Sequence, residues 1–308
     1  MTQEQYIKNL TAPKGKIDVV LDTEAYNEID DQLAIAYMLK LPQKFCVKGI
    51  CAAPFFNSRS TSPADGMHKS YDEILKLLKL AGKEALQPWV FRGSENYLPD
   101  ETTPVESAAA DFMAELAEHY SPENPLYIVA IGAITNVASA ILKNPSMKEN
   151  CVVVWLGGHG VHMPDGVNEF NMVQDIAAAR VVFGCGVPLV QLPCFGVVSA
   201  FTTSKYELQH WLAGKNALCD YLCENAISEA DSYAKGKPWT RVIWDVTAVA
   251  WLVDGQSRFM AEKCLPSPIP GYDKQYSFDE SRHLIKYVYA IYRDALFEDL
   301  FSVLGEEI

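Results

Sequence analysis

Asp22, Glu24, Asp30 and Asp31 are crowded into one short stretch, Val19 to Tyr37. An apolar, β-branched run ends at Asp22, a polar turn follows, and Asp30-Asp31 opens a stretch with the apolar spacing of a helix. That pattern gathers the four carboxylates at the carboxyl end of one strand. Carboxylates packed this way repel one another unless a cation or shared protons compensate. Oxygen-only donors suit a hard divalent cation, Ca²⁺ or Mg²⁺. The competing reading is that Asp30 and Asp31 merely complement a helix dipole, worth about 0.3–1 kcal/mol each. One aspartate needs no more than that, but a cluster does, because buried charges must be paired or must bind metal.

Later segments offer partners. In Val129 to Asn136 a backbone carbonyl at Ile131 could face the cation, although Thr135-Asn136 could simply start a helix. Asn168-Glu169-Phe170-Asn171 groups amides and a carboxylate in a polar, irregular segment, or is an ordinary loop. In Arg241 to Asp245 the last residue precedes an apolar helix and could serve only as its N-cap. The set is more telling than its members, because several strand ends finish in oxygen-rich residues.

The elements that must hold these residues alternate. Strands are expected at Val19–Asp22, Val47–Ala53, Pro88–Phe91, Leu126–Gly132, Cys151–Gly158 and Val187–Leu192, with helices at Met67–Leu80, Val105–His119 and Gln174–Phe183 between them. Such alternation predicts an α/β protein built on an open, mostly parallel, doubly wound sheet. In such a sheet ligands bind outside the carboxyl ends of the strands, where strand order reverses. Beyond Thr203 the pattern turns helical, up to a strand at His283–Ile291 and a closing helix at Arg293–Leu304, which predicts a helical cap from the C-terminal half. No linker or repeat interrupts the chain, so residues 1–308 are expected to form one domain. The long turn-rich loop Pro54–Gly66 begins at a strand end with Phe55 and Phe56, a position that favours a functional loop.

Composition narrows the partners. The 308 residues carry a formal net charge of -13. Phosphate-backbone binding needs a basic footprint, so a nucleic-acid polymer is not an expected partner. The segment Met1–Lys16 lacks a signal-peptide core and no run reaches membrane-span length, which predicts a cytoplasmic protein with no membrane partner. The 8 cysteines form no C-x-x-C pair, and most sit in apolar stretches and read as buried reduced thiols.

The acidic turn, the Ala130 to Asn136 strand end, the Asn168 to Asn171 segment and the Trp244-Asp245 pair resemble, in that order, the motifs of the inosine-uridine nucleoside hydrolase family. The Tyr287–Leu300 region is similar to that family's end, so the resemblance covers nearly the whole chain. It implies cleavage of a ribonucleoside N-glycosidic bond by a Ca²⁺-bound water, releasing base and ribose. It further implies that Asp22 and Asp31 are calcium ligands or their close support, completed by the Ile131 carbonyl and Asp245. Glu24 matches the carboxylate that activates water and touches the metal, with Asn57 matching an amide near the nucleophile. Asp30 and Asn171 match residues on the ribose 2′- and 3′-hydroxyls, and Glu169, beside Asn168, the residue on the 5′-hydroxyl. Family members are homodimers or homotetramers, which implies a homo-oligomer here.

The sequence departs from the family pattern in four places. Glu24 stands where an Asp is usual, the turn before Asp30 is two residues longer than the commonest form, Met163 replaces an Asn, and Trp244 replaces a His that many members carry. Trp244, with Phe55, Phe56 or Trp239, could sandwich a base, or it could be a packing residue. His159 and His162 lie close enough in sequence to the ribose segment to supply a leaving-group acid. Two rival readings follow: a nucleoside- or ribose-binding protein of the same fold with weakened catalysis, and a metal-dependent phosphohydrolase, since Asp22-x-Glu24 resembles the Asp-x-Asp of haloacid-dehalogenase-type phosphatases.

Overall fold

The computed structural model describes residues 1–306. Its strands are β1 (Ile17–Thr23), β2 (Phe45–Ala52), β3 (Val90–Arg92), β4 (Leu126–Ala130), β5 (Cys151–Leu156), β6 (Leu189–Leu192), β7 (Thr202–Ser204), β8 (Thr240–Val242), β9 (Met260–Pro266), β10 (Ile269–Pro270), β11 (Tyr276–Ser277) and β12 (Leu284–Ile291). The helices are α1 (Gln3–Asn9), α2 (Asp30–Leu39), α3 (Pro63–Leu80), α4 (Ala108–Leu116), α5 (Thr135–Lys143), α6 (Met147–Asn150), α7 (Phe170–Gln174), α8 (Ile176–Gly184), α9 (Lys205–Trp211), α10 (Ala217–Ala234), α11 (Val246–Val253) and α12 (Arg293–Gly305). Eight strands form the central sheet in the order β3-β2-β1-β4-β5-β6-β12-β9. Every pairing in it is parallel except β12 with β9.

Alternating side chains of one strand feed two different cores, as a pleated strand requires. Val19 and Leu21 join a cluster with α2, α3, α10, α11 and α12, whereas Val20 joins one with α4, α5 and α8. Both faces of the sheet are therefore covered, and β4 and β5 are buried at every position. This is why they read as unbroken apolar runs. The strand order reverses between β1 and β4, which opens a crevice at their carboxyl ends. The Ile131 N–H donates to the Asp22 carbonyl at 2.9 Å, extending the β1–β4 ladder to the lip of that crevice.

Several boundaries differ from expectation. Helix α3 begins at Pro63, not Met67, because the Ser62 hydroxyl caps it by accepting from Asp65 N at 3.1 Å. The Phe55 loop is correspondingly shorter. Pro88 and Trp89 lie in a 3₁₀ turn, and only Val90–Arg92 is strand. Phe170 and Asn171 are helical, with Glu169 accepting from the Asn171 and Met172 N–H groups as the N-cap of α7.

The C-terminal half does more than cap. Helix α11 is buried from Val246 to Leu252 inside the larger core, and β12 and β9 complete the sheet. Strand β9 had no clear sequence signal, because it is an antiparallel edge strand with Glu262 and Lys263 among its apolar residues. The short antiparallel β7–β8 ribbon, Thr202–Ser204 against Thr240–Val242, likewise carries no strand signal in the sequence. No helix among the described residues is long and apolar enough to cross a membrane.

Candidate active site

Two helix N-termini converge on the crevice. Asp30 and Asp31 open α2, Asp245 precedes α11, and the two helices pack together. One carboxylate oxygen from each of Asp30, Asp31 and Asp245 lies within 4.8 Å of the others, and all three residues are buried. Neither helix has a side-chain N-cap bond, so Asp245 is not an N-capping side chain. The partial positive charge of both N-termini instead favours the clustered anions.

Each carboxylate is held from its own direction. Asp31 Oδ1 accepts from Thr23 Oγ1 at 2.5 Å and from Glu24 N at 3.1 Å. Asp30 Oδ2 accepts from Trp244 N at 3.1 Å. Glu24 Oε1 accepts from Asn27 Nδ2 at 2.7 Å, whereas Oε2 is buried with no partner. The Glu24 side chain occupies space left by Gly132, where a Cβ would sit 3.1 Å from its Cγ and Oε2.

Burial dominates the electrostatics. It pushes Asp31 up to about 7, against the opposing bonds from Thr23 and Asp245. Burial, joined by Asp31 and Glu169, also raises Glu24 well above the usual carboxylate range. Asp30 and Asp245 are raised too, first by burial and then by their acidic neighbours. Close, buried, oxygen-only donors together with an orphaned carboxylate oxygen are what a hard divalent cation satisfies, so the residues fit one.

A cavity of about 410 Å³ opens over the cluster, within the range of small-molecule sites. It is lined by Glu24, Asp30, Asp31, Ile131 and Asp245 at the cluster, and by Asn168, Glu169 and Asn171 on the adjoining wall. Glu169 accepts from Gly158 N at 2.8 Å, Asn171 N at 2.9 Å and Met172 N at 3.0 Å, which fixes the 158–172 loop. Asn171 Nδ2 donates to the Leu156 carbonyl at 3.0 Å, tying that side chain to the end of β5. Trp244 lines the cavity, and its ring meets Phe195 edge-on at 5.4 Å.

Other expected residues lie elsewhere. Phe55 is fully buried and does not line the cavity, because its backbone carbonyl is held by Ser60 and α3 packs over it; Phe195 supplies the aromatic surface instead. Phe56 and Trp239 are outside the lining as well. Asn57 stands one residue behind the site, with its Nδ2 donating to Asn27 Oδ1 at 2.5 Å. Asp22 also lies behind the lining. Its Oδ1 accepts from Asn136 Nδ2 at 2.8 Å, Oδ2 is unpartnered, and burial pushes the group up to about 7. His159 lines the cavity and its Nδ1 accepts from Phe195 N at 3.3 Å; His162 is exposed and outside the lining.

Sequence reasoning does not single out Asn27 or Phe195, and it reads Asn136 only as a candidate helix start, not as the partner of Asp22. Asn27 sits inside the acidic turn and Asn136 ends a strand-turn already noted. Phe195 follows Pro193-Cys194 at the end of β6, one more strand terminus on the same edge.

The chain belongs to the family described as inosine-uridine preferring nucleoside hydrolase, whose model matches residues 19–275. A curated relative, probable uridine nucleosidase 2 of Arabidopsis thaliana, is 28% identical over 167 residues, which is 52% of this chain and 49% of that protein. The chain thus spans about half the length of the curated relative it matches. Among solved structures, a purine-preferring ribonucleoside hydrolase from Gardnerella vaginalis superposes with a TM-score of 0.73 at 17% identity, covering 94% of this chain and 98% of the other. An inosine-guanosine nucleoside hydrolase gives 0.74 at 16% identity, with 94% and 99% covered. These likenesses show the fold.

Proposed function

We propose that the protein hydrolyses the N-glycosidic bond of a ribonucleoside, releasing free base and ribose. The observation that carries this reading is Glu24, a buried carboxylate with an unpartnered oxygen beside the Asp30, Asp31 and Asp245 cluster, in a chain of this family. Asp31, Asp245, Glu24 and the Ile131 carbonyl would hold Ca²⁺, with Asp22 as buried support behind them. The number of carboxylates favours Ca²⁺, since Mg²⁺ keeps more of its waters. When bound, the cation supplies Lewis acidity that lowers the pKa of a water.

Glu24 takes the proton of the attacking water, and Asn57 acts through Asn27 to fix that carboxylate. Asp30 and Asn171 grip the ribose 2′- and 3′-hydroxyls, while Glu169 and Asn168 meet the 5′-hydroxyl. The surrounding carboxylates stabilise the positive charge that grows on the sugar as the C1′–N bond breaks. Trp244 and Phe195 pack on the base. On the same reading residues 1–308 act as one domain, and the protein works as a homodimer or homotetramer in cytoplasmic nucleoside salvage.

The test is release of base and ribose from purine and pyrimidine ribonucleosides, with Ca²⁺ and with a chelator. Calcium-dependent release of both products is the expected result. Binding of Ca²⁺ and nucleoside with no product from any substrate would replace the hydrolase by the binding-protein reading.

A further inference from the structure

The cavity collects negative charge. Glu24, Glu28, Asp30, Asp31, Glu169 and Asp245 all line it, and among the described lining residues Arg241 is the one lysine or arginine. Arg241 projects from β8 and is clamped. Its Nη2 donates to Glu28 Oε2 at 2.8 Å and lies 3.6 Å from Glu229 Oε1, its Nη1 donates to the Tyr233 hydroxyl at 3.0 Å, and its Nε has no partner. Burial works against its charge, but Glu28, Glu229 and Asp30 outweigh burial and keep it protonated.

Its location along the cavity matters as much as its charge. The reacting carbon must sit over Glu24 and the aspartates, and the hydroxyls of a ribose turn to Asn168, Glu169 and Asn171. The base is then left to the remaining wall, made by Phe195, Trp244, Tyr233 and Arg241. A base departing with the bond's electron pair gains negative charge, which the carboxylates repel. His159 is poorly suited to that need as an acid: its Nδ1 already accepts from Phe195 N at 3.3 Å, and burial lowers its pKa.

We propose that Arg241 is a catalytic residue for the leaving base, its guanidinium donating to a ring nitrogen or carbonyl oxygen of the base as the C1′–N bond breaks. This rests on the N-ribohydrolase reading. The electron pair of the broken bond goes to the base nitrogen, the water oxygen forms the new bond to C1′, and the water's proton goes to Glu24. Arginine keeps its protons, so the base leaves as an anion paired with Arg241 and takes a proton from solvent water. Glu24 returns its proton to solvent, and one water is consumed for each ribose and neutral base formed.

The experiment compares wild type, Arg241→Met and Arg241→Lys, all loaded with Ca²⁺, on inosine or uridine and on p-nitrophenyl β-ribofuranoside, whose leaving group departs unaided. For the natural nucleoside, kcat of Arg241→Met should fall about 100-fold with KM within about 3-fold, the scale of losing one charge-stabilising donor. On the p-nitrophenyl substrate the same variant should stay within about 3-fold of wild type, and Arg241→Lys should fall between the two on the nucleoside. Should Arg241→Met not fold, the same selective loss in Arg241→Lys carries the test. Equal loss on both substrates, or no loss on the nucleoside, overturns the proposal. Failure of wild type on both substrates instead overturns the hydrolase reading.

Discussion

Glu24 and Gly132 fit one another at the switch point of the sheet: the side chain of the first fills the space that a Cβ on the second would need, 3.1 Å from Glu24 Cγ and Oε2. Gly132 comes from the turn after β4 and Glu24 from the turn after β1, so a glycine on one strand end sets the position of a carboxylate on its neighbour. Gly132→Ala should push the carboxylate by a few tenths of an ångström. Catalytic groups tolerate about 0.5 Å, so a shift of that size uses up much of the margin, and kcat should fall by less than about 10-fold while the fold is retained. Steady-state kinetics beside a thermal melt will separate the two effects.

The same fit bears on the length of residue 24. Asn27 Nδ2 and the space above Gly132 match a glutamate, and an aspartate would draw the carboxylate back from both. Glu24→Asp is therefore expected to lower base release rather than raise it. Glu24→Gln should cost more, about 10²–10⁴-fold in kcat, the usual worth of a positioned general base. A gain of activity in Glu24→Asp would show that the longer side chain is a defect and not a fitted part.

Asp31 and Asp245 face one another across the cluster, and each should matter more to cation affinity than to folding. Asp31→Asn and Asp245→Asn are expected to weaken Ca²⁺ binding by at least about 10–100-fold, the loss that follows even when residues behind a metal's ligands are changed. Isothermal titration calorimetry on chelator-treated protein measures this directly. Asp22→Asn, behind the lining, should weaken binding less.

Acid should stabilise the cation-free protein. Asp22 and Asp31 rise from 3.8 to about 7 on folding, first through burial, so the folded state binds protons more tightly than the unfolded chain. Their contribution is complete below the unfolded value and is lost as pH rises through about 7. In chelator, Tm is expected to fall from pH 5 to pH 8. Added Ca²⁺ should restore it, and by more at pH 8 than at pH 5, because at the lower pH the ion competes with protons. Differential scanning fluorimetry across that range, with and without Ca²⁺, reads both effects.

The parts of the site visible in the sequence are those set by local pattern. A β-branched run, a polar turn and an apolar helix announce β1, the acidic turn and α2, and alternation with later strands announces the parallel sheet. Pairings across the fold were not visible. Nothing in the spacing of Asn136 shows that it bonds Asp22 and accepts from Ser94, and nothing in the Asn57 loop shows a bond to Asn27. Phe55 misled because an aromatic in a polar loop reads as exposed, whereas α3 starts early enough to close over it. Strand β9 escaped because an edge strand has only one neighbour and tolerates charge on its open side.

Strand β12 lies between β6 and β9, with Lys286 opposite Val190 and Tyr287 opposite Gln191. On a ribosome, β6 must therefore wait for nearly all of the chain before its second neighbour emerges. During that interval an apolar strand edge is open to solvent and to other chains. Such long-range parallel pairing is slow to form and exposed to aggregation. Synthesis at low temperature or with a chaperone that shields strand edges should raise the soluble yield more than any change made at the cavity.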